Sequence, residues 1–140
     1  MAPLWLQLRQ HHADLAPQWR DNLLATTFEQ RRAGLISKAA AGLLVLLATS
    51  GGDDIGYCVS TIAADRTGEV DSLYVTPTHR GRGVGHALMS ETMIWFGKRS
   101  ARSIALDVIT GNDAALRFYK HYGFAPRTVR MVSHSDKSRP

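Results

Sequence analysis

The sequence predicts a single α/β domain built around a mixed sheet. Three observations carry that prediction. Residues 42–75 hold three apolar runs of strand length, separated by the turn stretches "SGGDD" and "DRTG". Beyond them the pattern switches to helix, strand, helix and strand in alternation. The chain has 140 residues, the size of one domain, and no repeat or linker divides it.

In chain order, "LWLQLRQ" alternates Leu4, Leu6 and Leu8 on one side and predicts a first strand. Asp14 is placed to cap a helix with Pro17 in its first turn and Leu15, Trp19 and Leu23 along one side. A second helical patch is expected at roughly 28–40. "GLLVLLA" then predicts a buried strand, "SGGDD" a hairpin turn, and "IGYCVSTIA" the returning strand, with Gly56 marking a bulge. "EVDSLYV", residues 69–75, predicts the fourth strand. A glycine loop leads into the helix "VGHALMSETMIWFGK", with Val84, Ala87, Leu88 and Trp95 as core candidates. "SIALDVI" predicts a fifth strand, with Ile104, Leu106 and Val108 on one side. "NDAALRFYKHY" predicts a short helix stopped by Gly123. A last strand is expected at about 126–133, followed by a polar, frayed tail over about 134–140.

Composition excludes several classes. At 44% hydrophobic and 21% charged the chain is ordinary for a globular protein. Its longest apolar run, "AAAGLLVLLA", is half the ~20 residues a membrane span requires. The opening "MAPLWLQLRQHH" lacks the basic and continuous apolar segments of a signal peptide, so a cytoplasmic location is expected. Cys58 is the one cysteine, which excludes an internal disulfide and by default is a buried, inert thiol. His11 and His12 have no partner cluster in the sequence, so no metal is expected.

The net charge of +5 is uneven: residues 1–75 carry six Lys/Arg against eight Asp/Glu, and residues 76–140 carry eleven against four. A basic half suits an anionic partner. Zinc-finger spacing, RNP-like aromatic strands and basic heptads are all missing, so no nucleic-acid partner is expected.

The stretch "THRGRGVGHAL" offers the partner a place. The dinucleotide fingerprint fails, because its last glycine position falls on His86 or Leu88. The P-loop fails too, since no Gly-Lys-Ser/Thr occurs. Arg-x-x-Gly-x-Gly between a strand and a helix fits, with Arg80, Gly83 and Gly85. Glycines let backbone N–H groups turn inward, the helix start adds partial positive charge, and Arg80 and Arg82 add full charges. His86, in the first turn, is a further donor.

"EVDSLYVTPTHRGRGVGHAL" resembles the acetyl-CoA-binding motif of the GNAT superfamily of N-acetyltransferases, including the Val75-Thr76-Pro77 step before the loop. A second signature is similar in order and spacing: "SIALDVI", then Asn112, then Tyr119 seven residues later, closed by Gly123-Phe124. Together the two cover roughly residues 55–124. The resemblance implies a mixed, mostly antiparallel sheet flanked by helices, with a V-shaped opening between the fourth and fifth strands. It implies acetyl-CoA as co-substrate and no metal. It implies that Leu73, Tyr74 and Val75 meet the pantetheine arm, that Arg80, Gly81, Arg82, Gly83, Val84, Gly85 and His86 cradle the pyrophosphate, and that Asn112 and Tyr119 touch the coenzyme.

Direct transfer of acetyl to a primary amine in a ternary complex needs a base and an acid. An amine with a pKa near ~10.4 is almost wholly protonated at neutral pH, and a carboxylate can take that proton directly or through water. Period-two spacing puts Glu69 and Asp71 on one face with Leu73 and Val75. Glu69 matches the catalytic glutamate of some family members, with Asp71 as the alternative. Tyr119 matches the family's general acid. Tyr122 is assigned to packing.

The acceptor, a small-molecule or protein amine, is expected to be shaped by residues 11–40, which include Trp19, Phe28 and Glu29. Glu69, Asp71, Asp53 and Asp54 are expected to attract a cationic amine. Only sixteen residues follow Phe124, which shortens the family's closing strands and suggests a homodimer. The rival reading is a non-catalytic acyl-CoA-binding or protein-interaction module, which needs the loop but neither Glu69 nor Tyr119.

Overall fold

The computed structural model describes residues 1–133. The expected first strand is a helix, α1 (Ala2–Leu15). Leu4, Trp5 and Leu8 are buried at helical spacing, whereas Leu6 is 43% exposed, so the Leu4-Leu6-Leu8 alternation does not define a face. The run contains no β-branched residue and Pro3 opens the first turn. Asp14 caps nothing; it lies in the last turn of α1 and pairs with Arg20 at 3.2 Å. The break comes at Ala16, because a residue before proline is pushed out of the helical region, and Pro17–Trp19 form a single 3₁₀ turn.

Two further helices follow, α2 (Arg20–Ala25) and α3 (Phe28–Lys38). α3 starts on a capping box: Gln30 N–H donates to Thr27 Oγ1 at 3.1 Å and Thr27 N–H to Gln30 Oε1 at 2.9 Å. The sheet is then built by β1 (Gly42–Ser50), β2 (Asp53–Ile62), β3 (Thr67–Val75) and β4 (Ser103–Leu106), in that spatial order. β1, β2 and β3 are antiparallel neighbours, and β4 joins β3 in parallel. The right-hand half of the chain adds α4 (Val84–Lys98) and α5 (Asp113–Lys120). Residues 125–133 form neither helix nor strand, so the expected last strand is absent there, and the expected frayed tail lies outside the described residues. Among the described residues no helix is long and apolar enough to cross a membrane.

Apolar side chains pack on both faces of β2. Tyr57 and Val59 meet Leu4, Trp5, Leu8, Leu35 and Tyr74 under α1 and α3. Cys58 and Ile62 meet Val70, Leu88, Met89 and Phe96 under α4, with Leu73, Val75, Val84 and Trp95 partly buried around them. Ala87, proposed for this core, is exposed.

Two register shifts matter for the site. Ile55 is the extra residue beside Gly56, where the sequence placed a bulge. A second bulge inserts Asp71, since Val59 pairs with Ser72 but Ser60 with Val70. The extra residue breaks the period of two. Val70, Leu73 and Val75 all join the α4-side core, while Glu69 and Asp71 turn to Lys38 of α3. Glu69 and Asp71 therefore share a face with each other, but not with Leu73 and Val75.

Candidate active site

β3 and β4 are paired only over Thr67–Val70 and Ser103–Leu106. Beyond Val70 they part, and a cleft of about 920 Å³ lies between Leu73–Val75 on one side and Asp107–Ile109 on the other. This is the V-shaped opening, and it explains why only the first four residues of "SIALDVI" form a strand. The glycine loop closes one end of the cleft and α1–α3 the other.

The loop has the geometry its glycines permit. Gly81 and Gly83 have φ of +75° and +84°, values a side chain resists. Gly83 caps α4 without a side chain, so the first N–H groups of the helix have no intrahelical partner, and Val84, Gly85 and His86 line the cleft. Gly85 has an ordinary backbone, and a Cβ there would meet the Phe118 ring at 3.5 Å. Arg80 Nε donates to the Val75 carbonyl at 2.9 Å, and its guanidinium lies 5.4 Å from the Tyr74 ring centroid. His86 Nδ1 is 2.6 Å from the Tyr122 hydroxyl, so Tyr122 is a hydrogen-bonding residue as well as a packing one.

On the far side, Asn112 caps α5 by accepting from Ala115 N–H at 3.1 Å. That orients the helix so that Phe118 and Tyr119 reach the cleft. Burial, and secondarily Cys58, pushes the Tyr119 phenol well above its usual range. Cys58 is itself buried with its Sγ 3.3 Å from Thr92 Oγ1, and burial raises its pKa, as expected of an inert thiol.

The floor of the cleft carries the candidate bases. Lys38 Nζ bonds both the Glu69 and Asp71 carboxylates. The Asp71 side chain is 1% exposed, and its second oxygen accepts from Thr61 Oγ1 at 2.7 Å. Burial raises the Asp71 pKa despite these partners. Burial opposes the charge on Lys38 too, but bonds from Asp71 and Glu69 outweigh it and hold the ammonium above its ordinary pKa.

Of the thirteen residues the sequence picked out for the site, Glu69, Leu73, Tyr74, Val75, Arg80, Gly81, Gly83, Val84, Gly85, His86, Asn112 and Tyr119 all line the cleft; Arg82 is exposed and does not. At the end expected for the acceptor, His11, His12, Asn22, Leu23, Thr26 and Arg31 of the expected stretch 11–40 line the cleft, but the residues named within that stretch do not. Trp19, Phe28 and Glu29 do not line it: Phe28 packs on Trp5 with ring centroids 5.8 Å apart, and Glu29 pairs with Arg32. Asp53 and Asp54 open β2 at the hairpin, away from the cleft. The residues in their place are Trp5, Leu8, Arg9, His11 and His12 of α1, Asn22 and Leu23 of α2, Thr26, and Arg31 of α3. Burial lowers the pKa of both histidines, with Arg80 next for His11 and His11 next for His12. Among the described residues no His/Cys/Asp/Glu group is placed to hold a metal.

Residues 5–124 match the profile of the Acetyltransferase (GNAT) family. An uncharacterized N-acetyltransferase of Methanocaldococcus jannaschii is 35% identical over 71 residues, which is 51% of this chain and 31% of that one. The chain thus spans about a third of that relative, and 61% of the length of a mycobacterial one. The BH1408 protein from Bacillus halodurans has the same fold, with a TM-score of 0.74 at 21% identity, covering 94% of this chain and 90% of that one. A putative streptothricin acetyltransferase from Bacillus anthracis, solved in complex with acetyl coenzyme A, gives a TM-score of 0.54 at 23% identity over 58% of this chain and 46% of that one.

Proposed function

The chain belongs to the GNAT family of acetyltransferases, and from that premise we propose that it transfers the acetyl group of acetyl-CoA to a primary amine by direct attack in a ternary complex. The observation that carries this reading is the parting of β3 from β4 directly beside the glycine loop. An open strand edge at Leu73–Val75 offers backbone groups to an extended amide-bearing arm, in the manner of an added strand. The free N–H groups at the start of α4, with Arg80, suit a pyrophosphate. Arg80 is then the residue that exchanges the Val75 carbonyl for phosphate. Asn112 and Phe118 complete the opposite wall.

When bound, acetyl-CoA supplies an activated acyl group with a thiolate as leaving group. The chain's own residues supply proton handling. Glu69, partly exposed and lining the cleft, is the candidate base, acting directly or through water. Asp71 is nearly sealed from solvent between Lys38 and Thr61, which favours Glu69 over it. Tyr119, kept protonated by burial, is the candidate donor to the departing sulfur. Bacillus anthracis supplies a related fold with the same coenzyme bound, which supports the choice of acyl donor.

A cytoplasmic location and a homodimer belong to this proposal. Leu43, Val45 and Leu47, exposed along the edge strand β1, are the apolar stripe a second copy would cover. Thiol release from acetyl-CoA, measured across amines, amino acids, polyamines, aminoglycosides and peptides, tests the function. Amine-dependent thiol release is expected; coenzyme binding with silence across the panel would leave a non-catalytic acyl-CoA-binding module instead.

A further inference from the structure

The charge at the acceptor end of the cleft is the reverse of what the acidic first half of the sequence suggests. Arg9 and Arg31 both line it, and neither is in an ion pair among the described residues. Arg31 Nη2 donates to the Asp71 carbonyl at 2.7 Å and to Ser72 Oγ at 3.1 Å. Arg9 Nη1 donates to the carbonyls of Leu24 and Thr26 at 3.1 and 2.8 Å. All four partners are neutral. The Nε atoms of both guanidiniums are buried without a hydrogen-bond partner. Meanwhile the nearby carboxylates, Glu69 and Asp71, are committed to Lys38. On the wall formed by α1, α3 and β3, three cations thus share two carboxylates, and a partly buried guanidinium without a counter-charge is costly.

Position separates this charge from the coenzyme end. Along β3, Val75 adjoins the glycine loop, Leu73 follows, and Arg31 is tied to the bulge at Asp71 and Ser72. The planar fork of a guanidinium matches a carboxylate. His12 stands close enough to Arg31 to feel its charge, and burial, with His11 and then Arg31 adding to it, lowers the pKa of its ring. Asp107, exposed at the end of β4, is the carboxylate left on the other side of the cleft.

Given the acetyltransfer reading above, on which this rests, we propose that the acceptor amine also carries a carboxylate, held by Arg31: an amino acid or a close analogue, not a polycation. Arg31 is a substrate-binding residue in this scheme, with Arg9 adding charge while it tethers α1 to the loop after α2.

The test is a matched panel of amino acids and their α-carboxamides as acceptors, with wild-type protein, Arg31→Gln and Arg31→Lys. The amine of the amide is the less basic of each pair, so intrinsic reactivity favours the amide. Wild-type kcat/KM is expected to be at least about tenfold higher for the acid. Arg31→Gln should erase that preference mainly by raising KM for the acid, the amide losing clearly less kcat/KM than the acid, and Arg31→Lys should restore part of it. Amides or polyamines used as well as acids by the wild type overturn the proposal, as does an equal loss on both in Arg31→Gln. The wild-type comparison stands even if the variant folds poorly. If no amine is acetylated, N-acetylated amino acids and their amides are titrated by calorimetry without coenzyme. Failure to discriminate there overturns the carboxylate site, whereas failure to bind acetyl-CoA overturns only the acetyltransfer reading.

Discussion

Lys38 grips Asp71 at the point where β3 bulges, and it holds Glu69 with the same ammonium. The two contacts differ in kind. Glu69 is one-third exposed, and an ion pair of that sort contributes little. Asp71 is sealed, and without Lys38 its charge has Thr61 as its remaining side-chain partner. Lys38→Met is therefore expected to cost about 1–3 kcal/mol in urea unfolding. Adding Asp71→Asn should recover most of that loss, while adding Glu69→Gln should recover little. Additive costs for Lys38 and Asp71 in the double-mutant cycle would remove the pair from the account.

Tyr119 lies on the cleft face of α5 with its phenol pushed up by burial. It stays protonated throughout the range in which an acetyl transfer is assayed. Tyr119→Phe is expected to lower kcat by about 10²–10⁴ at every pH between about 6 and 9, with acetyl-CoA affinity nearly unchanged. A loss that appears only at one end of the pH range would assign the effect to another group. Unchanged kcat would end the catalytic assignment.

The glycine-loop end of the cleft was legible in the sequence because its parts are local. The Val75-Thr76-Pro77 step, the Arg80–Gly85 loop and the Asn112 cap are set by backbone conformation and by residues a few positions apart. The end under α1 and α3 was not, because Arg9, Arg31 and Asp71 belong to separate elements that meet only when α1 and α3 pack over β3. The bulge at Asp71 is a property of register against β2, and nothing within "EVDSLYV" announces it. The first element was misread for a plainer reason. A leucine at every second place over five residues also supplies the i and i+4 contacts of a helix, here Leu4 and Leu8. The capping box at Thr27 and Gln30 was a local signal for α3 that went unread.

Gly83 and Gly85 are both glycine in the loop motif, yet the structure gives them different reasons. Gly83 sits at φ +84°, where an alanine costs about 1–2 kcal/mol. Gly85 is helical, and a Cβ there makes an ordinary 3.5 Å contact with Phe118. Gly85→Ala should thus keep or slightly raise Tm while weakening acetyl-CoA binding by narrowing the cleft it lines. Gly83→Ala should lower Tm as well as affinity. Equal thermal destabilisation by the two substitutions would contradict this division.

His11 and His12 give the protein a calculable response to mild acid. Burial holds both imidazoles below the ordinary 6.5, with Arg80 adding to the effect at His11, and His11 and then Arg31 at His12. As pH falls, the unfolded chain takes up these protons before the folded one does. Their contribution is therefore complete above pH 6.5 and is lost as pH drops below it. Asp71 works in the opposite sense from its own ordinary value of 3.8 upward, because its raised carboxyl pKa lets the folded state bind the proton first. The cleanest window is accordingly the upper one, between about pH 7.5 and 5.5, where histidines titrate. Tm should fall across it, and His11→Gln with His12→Gln should flatten the fall. The same slope in the double variant would place the titrating groups elsewhere.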